Sequence, residues 1–275
     1  MTYDDLARPP LDVTALSTAL GRPGSLWGEI EILQQSPSTN AVVVDRARGG
    51  AGEGLVVVAE HQTAGRGRLD RVWSTPARAA LTFSILLTPD RVPSGRWPWL
   101  PLLTGIAVSE SLRRSTGVAS GLKWPNDVLV GDQKVAGILV ERVETPDRSA
   151  AVVGVGLNVS TSRAELPVPT ATSLALHEPT TLDRSVILRD VLRTFEALYL
   201  RWVVDAGDPE SGLLESYLRR CVTLGHRVRV DVPTGEQVVG VAAGVDADGR
   251  LMVSTASGMR VLGAGDVVHV RADDA

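Results

Sequence analysis

The balance of strand-like and helical segments is the feature that most restricts the fold of this 275-residue chain. Up to Arg220 the sequence carries several strand-like runs, such as GLVVVAEHQ, LTFSILLT and AVVGVGLNVS, but few segments with helical periodicity. A purely parallel sheet needs a helix between each pair of strands, so these helices are too few for one. We therefore predict an α+β fold with a mainly antiparallel or mixed sheet.

Four helices are predicted before the sequence pattern changes. One runs from about Asn40 to Arg48, after a Ser/Thr/Asn cluster, and a second lies within WLPLLTGIAVSESLRRSTG. The third is long and amphipathic, because its apolar residues from Val186 to Trp202 recur at helical spacing. A shorter one is expected from about Pro209 to Arg220.

From about Val222 the pattern becomes one of short alternating segments, broken by TG, DG, SG and AGD. Such spacing over about 50 residues is typical of a small β-barrel or sandwich. We therefore expect one domain over residues 1–220 and a second, all-β domain over residues 221–275.

Composition narrows the function classes. A net charge of −4 argues against a protein that coats nucleic acid, since such proteins show a basic excess. The single cysteine, Cys221, excludes an internal disulfide framework and suits a reducing compartment. The N-terminus lacks the features of a secretory signal, and no apolar run approaches the roughly 20 residues of a membrane span. The sequence predicts a soluble, cytoplasmic protein.

The segment HQTAGRGRLDRVWS concentrates positive charge and glycine in an otherwise mixed chain. Guanidinium groups bind phosphate and carboxylate oxygens through paired donors, and glycine permits positive φ and close approach of a ligand. Gly65-Arg66-Gly67-Arg68 is therefore a candidate anion clamp, although it is neither a Walker loop nor a dinucleotide fingerprint. Taken alone, the segment favours a solvated surface loop over a binding site, because RGR segments are common in such loops.

Other polar groups stand beside strand-like runs. In KWPNDVLV, Lys123, Asn126 and Asp127 either form a simple turn or bind an anion and Mg²⁺. Lys134, in GDQKVAGILVE, either extends to solvent at a sheet edge or supplies a catalytic charge. In SPSTN, a helix N-cap at Ser38 or Thr39 competes with recognition of a neutral ligand. The four histidines have no metal-ligand spacing.

The order of these motifs is more specific than any one of them. STN, EHQTAGRGR with a following Trp, KWPNDV, KVAGILVE and GVGLNV precede a small β domain, and this series resembles the biotin–protein ligases from about Ile30 to the C-terminus. The resemblance implies a catalytic domain like that of class II aminoacyl-tRNA synthetases, followed by a small SH3-like β-barrel.

The resemblance also implies a reaction. Biotin and MgATP would give biotinyl-5′-AMP and pyrophosphate, and a lysine of a biotin carboxyl carrier domain would then displace AMP. Two alternatives stay open: a lipoate–protein ligase-like enzyme with the same chemistry, and a non-enzymatic module that binds RNA or a protein partner.

Site residues are carried over on the matching motifs. The expected catalytic residues are Lys134, Arg66 and Arg68. The expected biotin-binding residues are Ser38, Thr39, Asn40, Gln62, Gly65, Arg66, Gly67, Arg68, Lys134 and Gly137. ATP and the adenylate are expected to contact Arg68, Arg71, Trp73, Lys123, Asn126 and Asn158, with Asp127 as a Mg²⁺ ligand.

One residue departs from the family pattern, and the short N-terminal segment carries a separate expectation. Asp70 stands where the family usually has a glycine, and it could pair with Arg68 or Arg71. About 29 residues precede the first core strand, which is too few for the winged-helix domain of family members that repress transcription. We therefore expect no specific DNA binding. The lack of long apolar runs predicts no membrane association, and a monomer or weak homodimer is expected.

Overall fold

The structure is a computed structural model that describes residues 8–145 and 147–269, without the side chain of Asp70. Its helices are α1 (Val13–Leu20), α2 (Thr39–Arg48), α3 (Trp99–Thr116), α4 (Arg184–Val204) and α5 (Leu213–Leu218). The strands of its first part are β1 (Glu29–Leu33), β2 (Leu55–Ala59), β3 (Gly65–Arg66), β4 (Val72–Trp73), β5 (Ala80–Leu87), β6 (Gly121–Lys123), β7 (Asp127–Val130), β8 (Gln133–Glu144) and β9 (Ser149–Asn158). The C-terminal strands are β10 (Arg227–Asp231), β11 (Gln237–Val245), β12 (Leu251–Thr255), β13 (Gly258–Leu262) and β14 (Asp266–His269).

A seven-stranded sheet in the order β1-β2-β5-β9-β8-β7-β6 forms the centre of the first part of the chain. Only β1 and β2 pair in parallel, and the other neighbours are antiparallel. The sheet is thus mixed and mainly antiparallel, which confirms the predicted α+β class.

Helices cover the two faces of this sheet unequally. Side chains alternate along a strand, so Val56 and Val58 of β2 face the large core beneath α3 and α4, while Leu55 and Val57 face a smaller core beneath α2. On β9 the smaller core ends at Val152, and the next two positions on that face are glycines, Gly154 and Gly156, which carry no side chain. A ligand therefore has room on the α2 face of the sheet.

The C-terminal residues form a five-stranded antiparallel sheet in the order β13-β12-β11-β10-β14, in agreement with the expected SH3-like domain. The connection to it is held against β6. Leu122 donates its N–H to the carbonyl of Arg220 (2.8 Å), and Val222 donates to that of Leu122 (2.9 Å). The two parts of the chain are therefore joined through paired backbone rather than through a free linker.

Two helical details differ from the sequence-based expectations. The helix expected from Pro209 to Arg220 is a 3₁₀ turn over Pro209–Ser211 followed by α5, and Gly212, at φ 117°, separates them. Helix α1 was not predicted, yet Leu16 and Leu20 bury it in the main core. Across the described residues, no helix combines the length and apolar character that crossing a membrane requires.

Candidate active site

A cavity of about 1080 Å³ opens on the α2 face of the large sheet. Every site residue expected from the sequence lines it except Gly65, which is buried behind the wall. Residues scattered over more than 100 positions of sequence therefore meet at one place. The C-terminal sheet closes one side of the cavity with His226, with Gly265 and with all four residues of β14.

The floor of the cavity is a patch of backbone without side chains. Gly154 and Gly156 alternate on β9, and Gly156 lies directly opposite Gly137 on β8. A Cβ at Gly154 would stand 2.1 Å from Asn40 Oδ1, and one at Gly156 would stand 2.4 Å from Trp73 Cε2. Glycine is required here because the Asn40 amide and the Trp73 indole lie against the strand backbone.

The N-terminus of α2 supplies a polar wall. Ser38 caps the helix by accepting a hydrogen bond from Ala41 N (3.4 Å), as expected from the sequence. Thr39 donates to Gln62 Oε1 both from its backbone N (2.7 Å) and from its hydroxyl (3.1 Å). The Ser38 hydroxyl proton and the Gln62 amide N–H groups remain as donors at the cavity wall, which suits a neutral polar ligand.

The arginine segment forms a small hairpin of β3 and β4 over the cavity. Gly65 is needed for close packing, since a Cβ there would lie 2.4 Å from the Trp73 carbonyl oxygen. The positive φ in this loop belongs to Leu69 (53°) rather than to a glycine, and Gly67 is extended. Glycine therefore serves close approach here and not a left-handed turn. The side chain of Asp70, the departure noted in the sequence, lies outside the described residues.

Two arginines of this hairpin bind the C-terminal domain. Arg68 Nη1 donates to Asn126 Oδ1 and to the carbonyl of Gly265, both at 3.2 Å. Arg71 makes a two-point contact with the Asp266 carboxylate, in which Nη1 to Oδ1 measures 3.3 Å and Nη2 bonds to Oδ2. These contacts hold the hairpin closed against the C-terminal sheet.

Burial and neighbouring charges have opposite effects on the pKa values of Arg68 and Asp266 at this contact. Burial lowers the pKa of the Arg68 guanidinium, and the nearby Asp127 and Asp266 carboxylates partly offset that effect. Burial acts to raise the pKa of the Asp266 carboxyl, but the hydrogen bond from Arg71 and the charges of Arg71, Lys123 and Arg68 outweigh it, and the pKa is lowered. Asp266 is therefore ionised near neutral pH and retains Arg71 electrostatically.

Lys134 lies at the cationic end of the floor. Its Nζ is 2.5 Å from Asp127 Oδ1 and 6.0 Å from the centroid of the Trp73 ring. A Cβ at Gly137 would stand 2.9 Å from the Lys134 Nζ, so that glycine lets the lysine fold back over the strand. Asp127 is consequently paired with a cation. In the part of the chain that the structure describes, no three His, Cys, Asp or Glu side chains gather as metal ligands.

Arg66 and Asn158 have different surroundings from the rest. The Arg66 guanidinium is half exposed and contacts Glu141, with Nη2 3.3 Å from Oε1. Asn158 is buried where it lines the cavity, and its Nδ2 donates to the Thr172 carbonyl at 2.9 Å.

Sequence reasoning missed the contribution of the C-terminal domain to the cavity. Gly265 and Asp266 stand in AGD, which reads as a turn signal. His226 and His269 stack there with ring centroids 5.2 Å apart and line the cavity. Burial, Lys123 and His226 lower the pKa of His269. Asp266 places a negative charge beside that turn, but no local sequence pattern indicates which loop the turn contacts.

Known families match both parts of the chain. Residues 26–158 match the biotin/lipoate A/B protein ligase family, and residues 223–270 match the biotin protein ligase C-terminal domain. A biotin--[acetyl-CoA-carboxylase] ligase of Mycobacterium tuberculosis is 42% identical over 98% of this chain and 100% of its own length. This chain belongs to the biotin–protein ligase family.

Other biotin–protein ligases agree in sequence and in fold. The bifunctional ligase/repressor BirA of Escherichia coli is 32% identical over 82% of this chain and 69% of its own length. The biotin protein ligase of Aquifex aeolicus, solved in complex with biotin and ATP, superposes with a TM-score of 0.75 at 28% identity. That match covers 90% of this chain and 100% of the Aquifex chain.

Proposed function

We propose that this biotin–protein ligase family member attaches biotin to a lysine of a biotin carboxyl carrier domain, using ATP and a biotinyl-5′-AMP intermediate. One observation carries the proposal. A single cavity joins a neutral polar wall at Ser38, Thr39 and Gln62 to a cationic end at Arg68 and Lys134, across a floor of glycine. Such a cavity suits a neutral bicyclic ring at one end and a carboxylate beside a phosphate at the other.

In the first step a carboxylate oxygen of biotin forms a bond to the α-phosphorus of ATP, and the bond to pyrophosphate breaks. Both reactants are anions, so positive charge at the meeting point lowers the barrier. We assign this charge to Lys134 and Arg68, which line the same end of the cavity. The catalytic role of Arg66 remains a prediction, because its guanidinium is engaged by Glu141.

In the second step the acceptor lysine amine attacks the acyl carbon, and AMP leaves with the former carboxylate oxygen. The mixed anhydride must be kept from water until the carrier arrives. The hairpin that carries Arg68, Arg71 and Trp73 covers the cavity, and its contacts with Gly265 and Asp266 support this shielding role.

Mg²⁺ enters this scheme as part of the MgATP substrate. Mg²⁺ is commonly held by one or two carboxylates together with substrate phosphates. Asp127 lines the cavity and fits one such ligand, provided that ATP phosphate takes its place as the partner of Lys134. The same cavity is lined by further residues that we assign to nucleotide binding, namely Lys123, Asn126, Arg71 and Trp73. Asn158 also lines it, and we assign it to the adenine side of the nucleotide.

The reaction is tested with purified protein, MgATP, radiolabelled pyrophosphate and biotin. We expect pyrophosphate exchange into ATP that depends on biotin, and transfer of biotin to an apo-carrier domain but not to a carrier whose acceptor lysine is replaced. Lipoic acid in place of biotin should support neither reaction. Equal labelling with lipoic acid, or exchange that ignores biotin, would overturn the assignment.

The remaining proposals concern domain boundaries and partners. We propose a catalytic domain over residues 1–220 and a C-terminal domain over residues 221–275. We also propose that the protein does not bind specific DNA, because α1 is packed into the catalytic core and Leu11 N bonds to the buried Glu60 (2.7 Å). A mobility-shift titration tests the second point, and a retarded complex at a defined sequence would refute it. A monomer or weak homodimer and a cytoplasmic location stay predictions.

Loss of the Arg71–Asp266 contact should open the hairpin. We expect Asp266→Ala to raise the rate of tryptic cleavage after Arg68 or Arg71 about threefold to fivefold, because an exposed ion pair contributes up to about 1 kcal/mol. Peptide mapping by mass spectrometry measures the rate. Glu236→Ala is the matched control, since Glu236 pairs with Arg260 in the same domain. Equal cleavage in both variants would contradict a closing role for Asp266.

A further inference from the structure

The polar atoms of the Asn40 side chain form hydrogen bonds within the protein. Its side chain is 5% exposed, its Nδ2 donates to Glu141 Oε2 (2.6 Å), and its Oδ1 accepts from Ser84 Oγ (2.6 Å). The amide also lies against Gly154, where a Cβ would leave no space. Asn40 is therefore held in one position and orders its neighbours instead of bonding a ligand itself.

Ser84 connects Asn40 to Thr39. It is fully buried on β5, and its Oγ lies 2.6 Å from Asn40 Oδ1 and 2.7 Å from Thr39 Oγ1. A hydroxyl has a single proton, so Ser84 can donate to only one of these oxygens at a time. The orientation of the Asn40 amide decides which one.

Glu141 is the nearer of two acceptors that fix this orientation, since Asn40 Nδ2 lies 2.6 Å from Glu141 Oε2 and 3.4 Å from the Leu139 carbonyl oxygen. A carboxylate only accepts hydrogen bonds, so Asn40 must turn its NH₂ toward Glu141 and its oxygen toward Ser84. The Ser84 proton then goes to Asn40, and the Thr39 hydroxyl proton goes to Ser84 or to Gln62 Oε1. In this arrangement Thr39 Oγ1 keeps both lone pairs free. If the amide were flipped, Ser84 would donate to Thr39 and occupy one of them.

We propose that Glu141 is a positioning residue that sets the hydrogen-bond direction along Asn40, Ser84 and Thr39, so that Thr39 Oγ1 accepts a ring N–H of the substrate. This inference rests on the proposed function. Arg66 holds Glu141 in turn, with Nη2 3.3 and 3.4 Å from its two carboxylate oxygens. The hairpin over the cavity and the ring end of the pocket are thereby coupled through one carboxylate.

This hydrogen-bond arrangement favours a substrate ring that carries N–H donors. The ureido ring of biotin carries two N–H donors, whereas a dithiolane ring such as that of lipoic acid carries none. An oxygen kept as an acceptor would remain unpaired beside a ring without donors, and leaving a buried polar group unpaired is costly. Glu141 thus acts on selection of the ring.

The test compares KM for biotin and for ATP in pyrophosphate exchange. Glu141→Ala should raise KM for biotin about tenfold, the size expected for the loss of one hydrogen bond to a charged group. KM for ATP should stay within about twofold of the wild-type value. Glu141→Gln can still present an oxygen to Asn40 and should lose less. Glu144→Gln is the control, because Glu144 lies further along β8 with Arg142 and Ser149 as partners.

A rescue experiment separates direction from packing. Asn40→Asp places two carboxylates face to face and should raise KM for biotin at least as much as Glu141→Ala. Adding Glu141→Gln lets an amide donate to the carboxylate introduced at position 40, which still accepts from Ser84, so affinity should largely return.

Three outcomes decide between the explanations. An unchanged KM for biotin in Glu141→Ala, or a double variant no better than a folded Asn40→Asp, would overturn the proposal. If Asn40→Asp does not fold, judged by thermal melting, Glu141→Ala alone decides. Wild-type protein without biotin-dependent exchange would instead refute the proposed function.

Discussion

Replacing Lys134 with alanine should lower biotin-dependent pyrophosphate exchange by about 100-fold to 1000-fold, the usual loss when one preorganised charge is removed from a reaction centre. Lys134 is the cation on the cavity floor that lies next to Asp127. Without it, Arg68 alone would offset the repulsion between the biotin carboxylate and the α-phosphate of ATP. Assays of pyrophosphate exchange into ATP at saturating biotin and MgATP measure the effect.

The same change should have little influence on folding. The Lys134 side chain is 33% exposed, and pairs of that kind contribute up to about 1 kcal/mol to stability. Arg142→Ala is a suitable control, because Arg142 lies on the same strand and pairs with the exposed Glu144. Exchange at the native rate in Lys134→Ala, with an unchanged melting temperature, would remove Lys134 from the mechanism.

Adding a methyl group at Gly156 should weaken biotin binding about 10-fold to 100-fold, since overpacking of this kind costs about 1–3 kcal/mol. The new Cβ would lie 2.4 Å from Trp73 Cε2, so the indole must leave the strand. Trp73 belongs to the hairpin and not to the core, so it would move into the space reserved for the ligand. Isothermal titration of Gly156→Ala with biotin tests this.

Gly244→Ala provides the comparison for that variant. Gly244 also lies within a strand, but a Cβ there would meet only Met252 Sδ at 3.8 Å, an ordinary contact. We expect its biotin affinity to equal that of the wild type. If Gly156→Ala also binds biotin normally, the indole does not need the glycine floor, and our account of the cavity would be wrong.

Local patterns were enough to predict much of the fold. The α+β class follows from counting helices against strands. Neighbouring residues alone predict an N-cap at Ser38 or Thr39, and the structure has it at Ser38. The helix near Pro209 was predicted too long because Gly212 takes a positive φ that the apolar pattern does not reveal. Helix α1 was missed because its eight residues depend on packing against the core.

The site was less predictable, because its members meet through tertiary structure. Arg71 and Asp266 are 195 positions apart, and nothing local connects an arginine hairpin to an AGD turn. Ser84 is one of three polar residues in the strand-like run LTFSILLT, and Glu141 ends the run KVAGILVE. Their role depends on which face of the sheet α2 covers, and that is settled only by the assembled fold.

The hairpin that covers the cavity contacts the C-terminal domain through charged side chains, chiefly the Arg71–Asp266 ion pair. Arg71 is 57% exposed and Asp266 33% exposed, so dissolved ions reach both groups. The screening length falls from about 10 Å at 0.1 M salt to about 3 Å at 1 M. Raising the ionic strength should therefore shorten the time that the hairpin stays closed. The glycine floor is part of the sheet backbone, and its position should not change with salt.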